Sequence, residues 1–336
     1  GKNGKEVLYV NNVGKIIERD KTTKAEAGNN LYLSIDKNLQ IATYKILEEQ
    51  LAGIILSNMR NTMNFEKRAG TEDVNILPFD DVLNSFFANN ILDIKHFAEK
   101  DAQSREKAVY QKFLTRRETV LKRITEELNS SSAKPYKNLS KEMQAYMSYI
   151  ANDVLTENTG ILVKDKIDTD DKTYKAWKED DSISLREYLQ YAISKNWVDT
   201  SKLQEYIEGK SDYSDANEVY EGIVAFLKEY LSSNTGFDKL IYKYMIKDGS
   251  ITGREVCLML YEQGVLKYDE KQVSALNAGT VSAYDFIRGK IKSLEITPGQ
   301  LGLEPCTASA VVTDVNSGAV LACVSYPGYD NNRLAN

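Results

Sequence analysis

The sequence is poor in the residues from which many catalytic and metal sites are built, histidine above all. Among 336 residues there is one histidine, His96. A serine or cysteine nucleophile activated by histidine would depend on His96, which lies in a predicted helical stretch with no nucleophile motif around it. A zinc site of the usual His/Cys type also has too few ligands. We predict that His96 is an ordinary surface or half-buried residue.

Cysteine is also scarce. Cys257, Cys306 and Cys323 form no CxxC pair, and an odd number cannot all pair within the chain. Each lies among apolar neighbours, where a free cysteine behaves as a small hydrophobic residue. This pattern argues against a redox or metal centre, and it does not assign the chain to an oxidising or a reducing compartment.

Two further absences exclude classes of protein. The formal net charge is −6, so the concentrated basic surface that binds nucleic acid is not predicted. No apolar run approaches the roughly 18–20 residues that span a bilayer, and residues 1–10 lack the hydrophobic stretch of a signal peptide. Because the chain begins in strand-like sequence and ends shortly after a predicted strand, we expect it to be a piece of a longer protein.

What the sequence does contain is the composition of a folded protein rich in helix. Hydrophobic residues make up 42% and charged residues 27%, with only 5 prolines. The length exceeds the size at which one hydrophobic core usually stops growing, so we predict an α+β protein of more than one unit. Its sections are residues 1–60, an all-α insertion over residues 61–295, and residues 296–336.

The first section predicts a small β-containing part and then a long helix. Val7–Val10 and Lys15–Glu18 are strand-like runs joined by the turn-forming residues 11–14, which is typical of a hairpin. Residues Leu31–Ile35 predict a strand. Asp36 follows immediately and is a good N-cap for the long helix.

The section over residues 61–295 predicts helices and no strand. Capping boxes predict helix starts at Ser184/Glu187 and at Thr252/Glu255. Three similar segments, residues 82–94, 188–200 and 256–268, each end a predicted helix at a residue suited to the left-handed conformation. These residues are Asn90, Asn196 and Gly264. An internal repeat and shared helix-ending chemistry both explain the similarity.

The last section predicts a hairpin. Residues 309–315 and 319–325 are strand-like and are joined through residues 316–318, where Gly318 can take a positive φ. The second strand is apolar at nearly every position, so we expect it to be covered on both faces. A two-stranded hairpin of this kind is not stable alone, so further sheet partners are expected.

Two stretches carry a more specific pattern. The first motif, residues 28–40, stands as Gly28-Asn-Asn-Leu31-Tyr-Leu33-Ser34-Ile35-Asp36-Lys-Asn-Leu39-Gln40. The second motif, residues 314–332, is carried by Asp314, Gly318, Val320, Leu321, Ala322, Ser325, Pro327, Tyr329, Asp330 and Asn332. Together, in this order, they resemble class B penicillin-binding proteins, with Ser34 where threonine is usual. In that family the first motif closes the pedestal region and the second opens the transpeptidase domain.

The resemblance implies a parent protein that is anchored in the bacterial cell membrane and acts on its outer face. Such proteins cross-link peptidoglycan stem peptides in cell-wall synthesis and are acylated by β-lactams, and related members maintain cell shape. The predicted helical insertion departs from the family pattern. We expect it to be an interaction module for other cell-wall synthesis proteins.

The catalytic groups of that family follow the second motif. They are a serine with a lysine three residues later, a Ser-x-Asn and a Lys-Thr/Ser-Gly. We therefore predict that residues 1–336 contain no catalytic, cofactor-binding or metal-binding residue and are inactive alone. Short matches inside the chain are interpreted as chance. These are Ser104/Lys107 and Ser131/Lys134 for the serine–lysine pair, and Ser194/Asn196 and Ser232/Asn234 for Ser-x-Asn.

A non-enzymatic helical scaffold that binds a protein or glycan partner is the competing interpretation. Trp177 and Trp197 could form a sugar-binding platform, although aromatic residues at helical spacing are more often core. The transpeptidase interpretation requires residues 308–325 to form a hairpin against residues 31–35 or the helix that follows, with an exposed sheet edge. A self-contained scaffold requires no such edge.

Overall fold

A computed structural model describes residues 1–30, 32–65, 75–207 and 215–328. Over these residues the protein is of mixed α+β type, with twelve α-helices and three two-stranded sheets. It forms two compact units, Gly1–Glu48 with Thr307–Asn336, and Glu49–Cys306. The predicted section boundaries at 60 and 296 therefore differ from these limits, since the helical unit begins inside the first long helix. No helix in the described part combines the length and apolarity needed to cross a membrane.

Two of the sheets are antiparallel hairpins in the smaller unit, both where hairpins were predicted. β1 (Lys5–Val10) pairs with β2 (Ile16–Thr23), and β5 (Ala308–Thr313) pairs with β6 (Val320–Tyr326). The third sheet is a parallel pair in the helical unit, β3 (Met59–Arg60) and β4 (Leu77–Pro78). The expectation of no strand over residues 61–295 is therefore wrong at β4. A two-residue strand has no periodicity from which it could be predicted.

The helices alternate with short connections. They are α1 (Lys37–Asn58), α2 (Phe79–Ala88), α3 (Ser104–Asn129), α4 (Lys141–Ser148), α5 (Lys172–Lys178), α6 (Leu185–Ser194), α7 (Ala216–Ser233), α8 (Thr235–Lys247), α9 (Gly253–Glu262), α10 (Glu270–Ala278), α11 (Ala283–Lys292) and α12 (Pro298–Leu301). Helix α4 continues directly into a π-helix over Tyr149–Asn158.

Both predicted capping boxes form. Ser184 precedes α6, and its Oγ accepts a hydrogen bond from the Glu187 amide at 3.1 Å, while the Ser184 amide donates to Glu187 Oε2 at 2.8 Å. Thr252 and Glu255 exchange the same two bonds at the start of α9. Each pair satisfies two backbone groups that a helix start otherwise leaves open.

The predicted left-handed helix ends also form, with φ values of 56° at Asn90, 57° at Asn196 and 68° at Gly264. The Leu92 amide then donates back to Phe86 O at 2.8 Å, a bond typical of this helix ending. Gly249 after α8 also has a positive φ, although it lies outside the three similar segments. Shared helix-ending chemistry is therefore present in all three segments, and Gly249 shows that it also occurs outside them.

A continuous hydrophobic core fills the helical unit. Its most densely aromatic part surrounds Tyr242 of α8, whose ring lies 4.5 Å from that of Phe113, 5.1 Å from Phe87 and 6.1 Å from Phe97, measured between centroids. Trp177 and Trp197 are also buried in this core. They are therefore core residues and not an exposed sugar-binding platform.

The C-terminal end of α1 packs against α11, which comes near the end of the helical unit in the sequence. The Tyr284 hydroxyl donates to Met59 O at 3.1 Å, and Arg288 Nη1 donates to Leu56 O at 2.7 Å. These bonds bring together the stretches through which the chain enters and leaves this unit. Inserted domains characteristically have their two ends close together.

The three cysteines differ in environment. Cys257 is fully buried, Cys306 is half-buried and Cys323 is exposed, and none forms a disulfide. The expectation that each behaves as a small hydrophobic core residue is therefore wrong for Cys323. It lies on a strand whose side chains alternate between a buried and an exposed face.

Candidate functional site

The candidate site is the contact between the first motif and β6, which carries part of the second motif. It begins at the start of α1, where Asp36 is the N-cap as predicted. Asp36 Oδ1 accepts hydrogen bonds from the amides of Asn38 at 2.8 Å and Leu39 at 2.9 Å. These bonds fix the direction in which residues 32–36 approach the helix.

Residues just before α1 bond directly to β6. Ser34 Oγ donates to Val320 O at 2.7 Å, and the Asp36 amide donates to Leu321 O at 2.8 Å. The prediction of a strand here is wrong for residues 32–35, and Leu31 lies outside the described residues. The reason is that this segment contacts β6 through one side chain and one backbone amide, not through a regular ladder.

Gln40 lies one turn into α1, and its side chain bonds to β6 as the backbone of a neighbouring strand would. Its Nε2 donates to Cys323 O at 2.7 Å, and its Oε1 accepts from the Cys323 amide at 2.8 Å. A carboxamide carries one donor and one acceptor side by side, as a peptide group does. Gln40 therefore satisfies both backbone groups of one residue of β6 from the side opposite β5.

The contact continues to the end of β6. The Tyr326 hydroxyl donates to Glu48 Oε1 at 3.1 Å, and the rings of Tyr44 and Tyr326 lie 5.2 Å apart. Ala322, Val324 and Tyr326 occupy every second position of the strand and are buried on one face of it. Helix α1 and β6 are thus joined along most of the strand.

The opposite face of β6 is exposed at Cys323 and Ser325. The expectation that this strand is covered on both faces is therefore wrong for the described residues. Among them β5 has β6 as its one strand partner, so its other edge is open. Val311 on β5 is 63% exposed. An open edge beside an exposed apolar side chain is a surface that proteins usually cover.

The turn of the hairpin is organised by Asp314. Its Oδ1 accepts from the amides of Ser317 at 2.7 Å and Asn316 at 2.9 Å, and from the Ser317 hydroxyl. The bonds from Ser317 and then Asn316 lower the pKa of Asp314 below its usual value. Gly318 closes the turn with φ of 71°, as its predicted role requires.

None of the serine–lysine or Ser-x-Asn matches within the described residues forms a catalytic arrangement. Lys107 donates to Lys100 O at 2.8 Å. Ser131 lies in a turn, and both Ser131 and Lys134 are exposed. Ser194 and Ser232 donate to the backbone of their own helices, at Tyr191 O and Glu229 O. Asn234 follows the end of α7, and its side chain caps the start of α8.

The remaining candidates from the sequence are His96 and the last residues of the second motif. His96 is half-buried, and its Nδ1 lies 2.8 Å from Oε1 of Glu106, a fully buried partner that the sequence analysis missed. Tyr329, Asp330 and Asn332 of the second motif lie outside the described residues.

No family model, curated protein or solved structure matches this chain. The functional assignment therefore depends on the two motifs and on the contact between them.

Replacing Gln40 by alanine tests this contact at one residue. The Cys323 amide loses its acceptor, and a hydrogen bond of this type stabilises by about 1 kcal/mol. We expect the Cys323 amide to exchange its hydrogen at least about fivefold faster than in the wild type, measured by nuclear magnetic resonance. Lys37→Ala, on an exposed side chain of the same helix, is the control. Unchanged exchange at Cys323 in the Gln40 variant would show that the contact does not form in solution.

Proposed function

We propose that residues 1–336 are the non-catalytic part of a serine acyl-transfer protein. Within that class we assign them to a class B penicillin-binding protein that cross-links peptidoglycan stem peptides at the outer face of the bacterial cell membrane. In this proposal the chain contributes the end of the pedestal, a helical insertion and the first hairpin of the transpeptidase sheet. The nucleophilic serine and its lysine lie outside residues 1–336.

One observation carries the proposal. Ser34, Asp36 and Gln40 of the first motif bond directly to Val320, Leu321 and Cys323. The bonded residues lie far apart in the chain, with a separation of 286 between Ser34 and Val320 and of 283 between Gln40 and Cys323. Two motifs that resemble one family in sequence therefore also contact each other directly in the structure.

The open edge of β5 supports the same proposal. A longer polypeptide could add strands to that edge and cover Val311 and the exposed face of β6. A self-contained scaffold gains nothing from an open edge, which favours unwanted pairing with other chains. The edge thus favours the transpeptidase proposal over the scaffold.

We propose that this chain contributes to catalysis by holding the first hairpin of the sheet in place, not by supplying reacting groups. Helix α1 holds β6 through Gln40 and Tyr326, so the hairpin would provide a fixed base for the rest of the sheet. The missing part would supply a serine hydroxyl and a lysine amine that removes its proton, and would bind stem peptides and β-lactams. The helical unit would remain free to bind other cell-wall synthesis proteins, and the proposed mechanism uses no cofactor.

Labelling with a fluorescent penicillin tests the proposal. The natural polypeptide, if it continues past Asn336 as proposed, should be acylated at a serine beyond that residue, and residues 1–336 alone should remain unlabelled. Mass spectrometry of the labelled peptide identifies the serine. Labelling at Ser104 or Ser131 would contradict the assignment, and a natural polypeptide that is never labelled would favour the helical scaffold.

A further inference from the structure

The segment that precedes α3 brings a histidine and two carboxylates together. Ligand atoms of His96, Glu99 and Asp101 all lie within 4.8 Å of one another. His96 Nε2 is 3.7 Å from Asp101 Oδ1. Asp101 and Glu99 are exposed, whereas the His96 side chain is 29% exposed. Two of the three side chains can therefore adjust their rotamers while the imidazole is held.

A buried carboxylate fixes the position of the His96 imidazole through its Nδ1 atom. Glu106 of α3 is fully buried, and its Oε1 lies 2.8 Å from His96 Nδ1. Gln263 Nε2 donates to the same oxygen at 2.7 Å, and the Gln103 amide donates to Oε2 at 2.7 Å. Both carboxylate oxygens of Glu106 therefore have hydrogen-bond donors from other helices or the backbone.

This arrangement orients the ring. The oxygens of Glu106 already accept hydrogen bonds from Gln263 and Gln103, and His96 Nδ1 is placed to donate to Oε1 as well. The lone pair is then on Nε2, on the side of Asp101 and Glu99. A histidine that donates its other N–H to a carboxylate is the arrangement that metal-binding histidines adopt, with the carboxylate fixing the ring and raising its basicity.

The spacing between His96 and Asp101 is close to that of two ligands on a small transition-metal ion. Zinc bonds of about 2.0–2.2 Å in tetrahedral geometry place neighbouring ligand atoms about 3.4 Å apart. The observed 3.7 Å between His96 Nε2 and Asp101 Oδ1 is close to that value. An imidazole with two carboxylates suits Zn²⁺ and similar ions better than Ca²⁺ or Mg²⁺, which prefer oxygen ligands alone.

We propose that His96, Glu99 and Asp101 bind a divalent transition-metal ion of the Zn²⁺ type, with Glu106 as the positioning residue behind the imidazole. One histidine with two carboxylates lies outside the usual His/Cys ligand patterns, so the sequence alone gave no signal for it. The site would fasten the segment over residues 96–101 to α3 and, through Gln263, to the end of α9. This proposal is independent of the proposed acyl-transfer function.

Zinc titration of the untagged chain tests the site. The background carries Cys306→Ser and Cys323→Ser, because accessible thiols also bind zinc. Since His96 is the only histidine, its imidazole signals in nuclear magnetic resonance report this site alone. We expect saturable binding by calorimetry, a shift of the Nε2 signal on addition of Zn²⁺, and a rise in melting temperature.

Matched variants separate the roles. His96→Gln should abolish binding, and Asp101→Asn and Glu99→Gln should each weaken it. Glu106→Gln keeps the shape but not the charge, and should weaken binding by about 10–100-fold. Glu118→Gln, an exposed acid on α3, should leave the affinity unchanged.

The proposal is overturned if the wild type shows no saturable binding, or if His96→Gln binds Zn²⁺ as tightly as the wild type. If Glu106→Gln fails to fold, Asp101→Asn still decides, because the Asp101 side chain is 79% exposed and the change is not expected to disturb the fold. Unchanged affinity in Asp101→Asn would also contradict the site.

Discussion

Replacing Tyr242 by alanine is expected to lower the free energy of unfolding of the helical unit by about 3–5 kcal/mol, whereas replacing it by phenylalanine should raise it by about 1 kcal/mol. The ring is 1% exposed and packs between Phe87 and Phe113. Alanine would leave a cavity in the aromatic core, and the neighbouring rings can close it only in part.

The phenylalanine variant has the opposite sign because of the hydroxyl. Tyr242 Oη is buried and has no hydrogen-bond partner among the described residues. The same burial raises the pKa of Tyr242 above its ordinary value. Removing a buried and unsatisfied polar group stabilises a fold while the ring packing is kept.

Urea unfolding followed by circular dichroism at a helical wavelength measures both variants. The two substitutions act on the same residue, so each is the control for the other. If the phenylalanine variant instead has a free energy of unfolding about 1 kcal/mol lower than the wild type, the hydroxyl must have a hydrogen-bond partner in solution. A mild effect of alanine would contradict the packing around Tyr242.

The second large effect concerns the proposed parent protein. Ala322→Glu in the natural polypeptide should reduce its rate of acylation by penicillin by about tenfold or more. Ala322 is fully buried on the same face of β6 as Tyr326. A carboxylate there loses its hydration without gaining a partner, which costs several kcal/mol. A loss of about 1.4 kcal/mol in the transition state already gives a factor of ten.

Val315→Glu is the control for this change, because Val315 lies in the hairpin turn and is 95% exposed. It adds the same charge seven residues away without entering the contact with α1. Circular dichroism of the isolated residues 1–336 should show that the helical unit of both variants remains folded. Equal acylation rates in the Ala322 and Val315 variants would mean that the α1–β6 contact does not support the transpeptidase part.

Local features of the fold could be predicted because their causes are local. Ser184 with Glu187 satisfies backbone groups within one helical turn, and Gly264 ends a helix because it tolerates positive φ at low cost. Asp36 before α1 and Gly318 in the hairpin turn follow the same logic. In each case the residue type and its immediate neighbours contain the information.

Features that depend on distant parts of the chain could not be predicted in this way. Gln40 was recognised as a motif residue, but its bonds to Cys323 link residues 283 positions apart. The residues before α1 looked like a strand because they are apolar, and the structure uses them as a short bonded approach to β6 instead. Apolar composition also could not indicate that β6 is covered on one face.

The contact between Glu106 and His96 also could not be predicted from the sequence. Glu106 forms a capping box with Gln103 at the start of α3, and this was the one local signal that could have drawn attention to it. Its partner Gln263 comes from α9, so the buried network exists only once the helices pack. Histidine scarcity argued against histidine-activated nucleophiles, but it gave no information on carboxylate ligands.

Peptide sequencing of the natural polypeptide by mass spectrometry tests the central claim most directly. The account predicts that residues follow Asn336 and that they include a serine with a lysine three residues later, at the start of a helix. A natural polypeptide that stops at Asn336, or that continues without such a pair, would contradict the transpeptidase assignment and leave a helical module with an open hairpin.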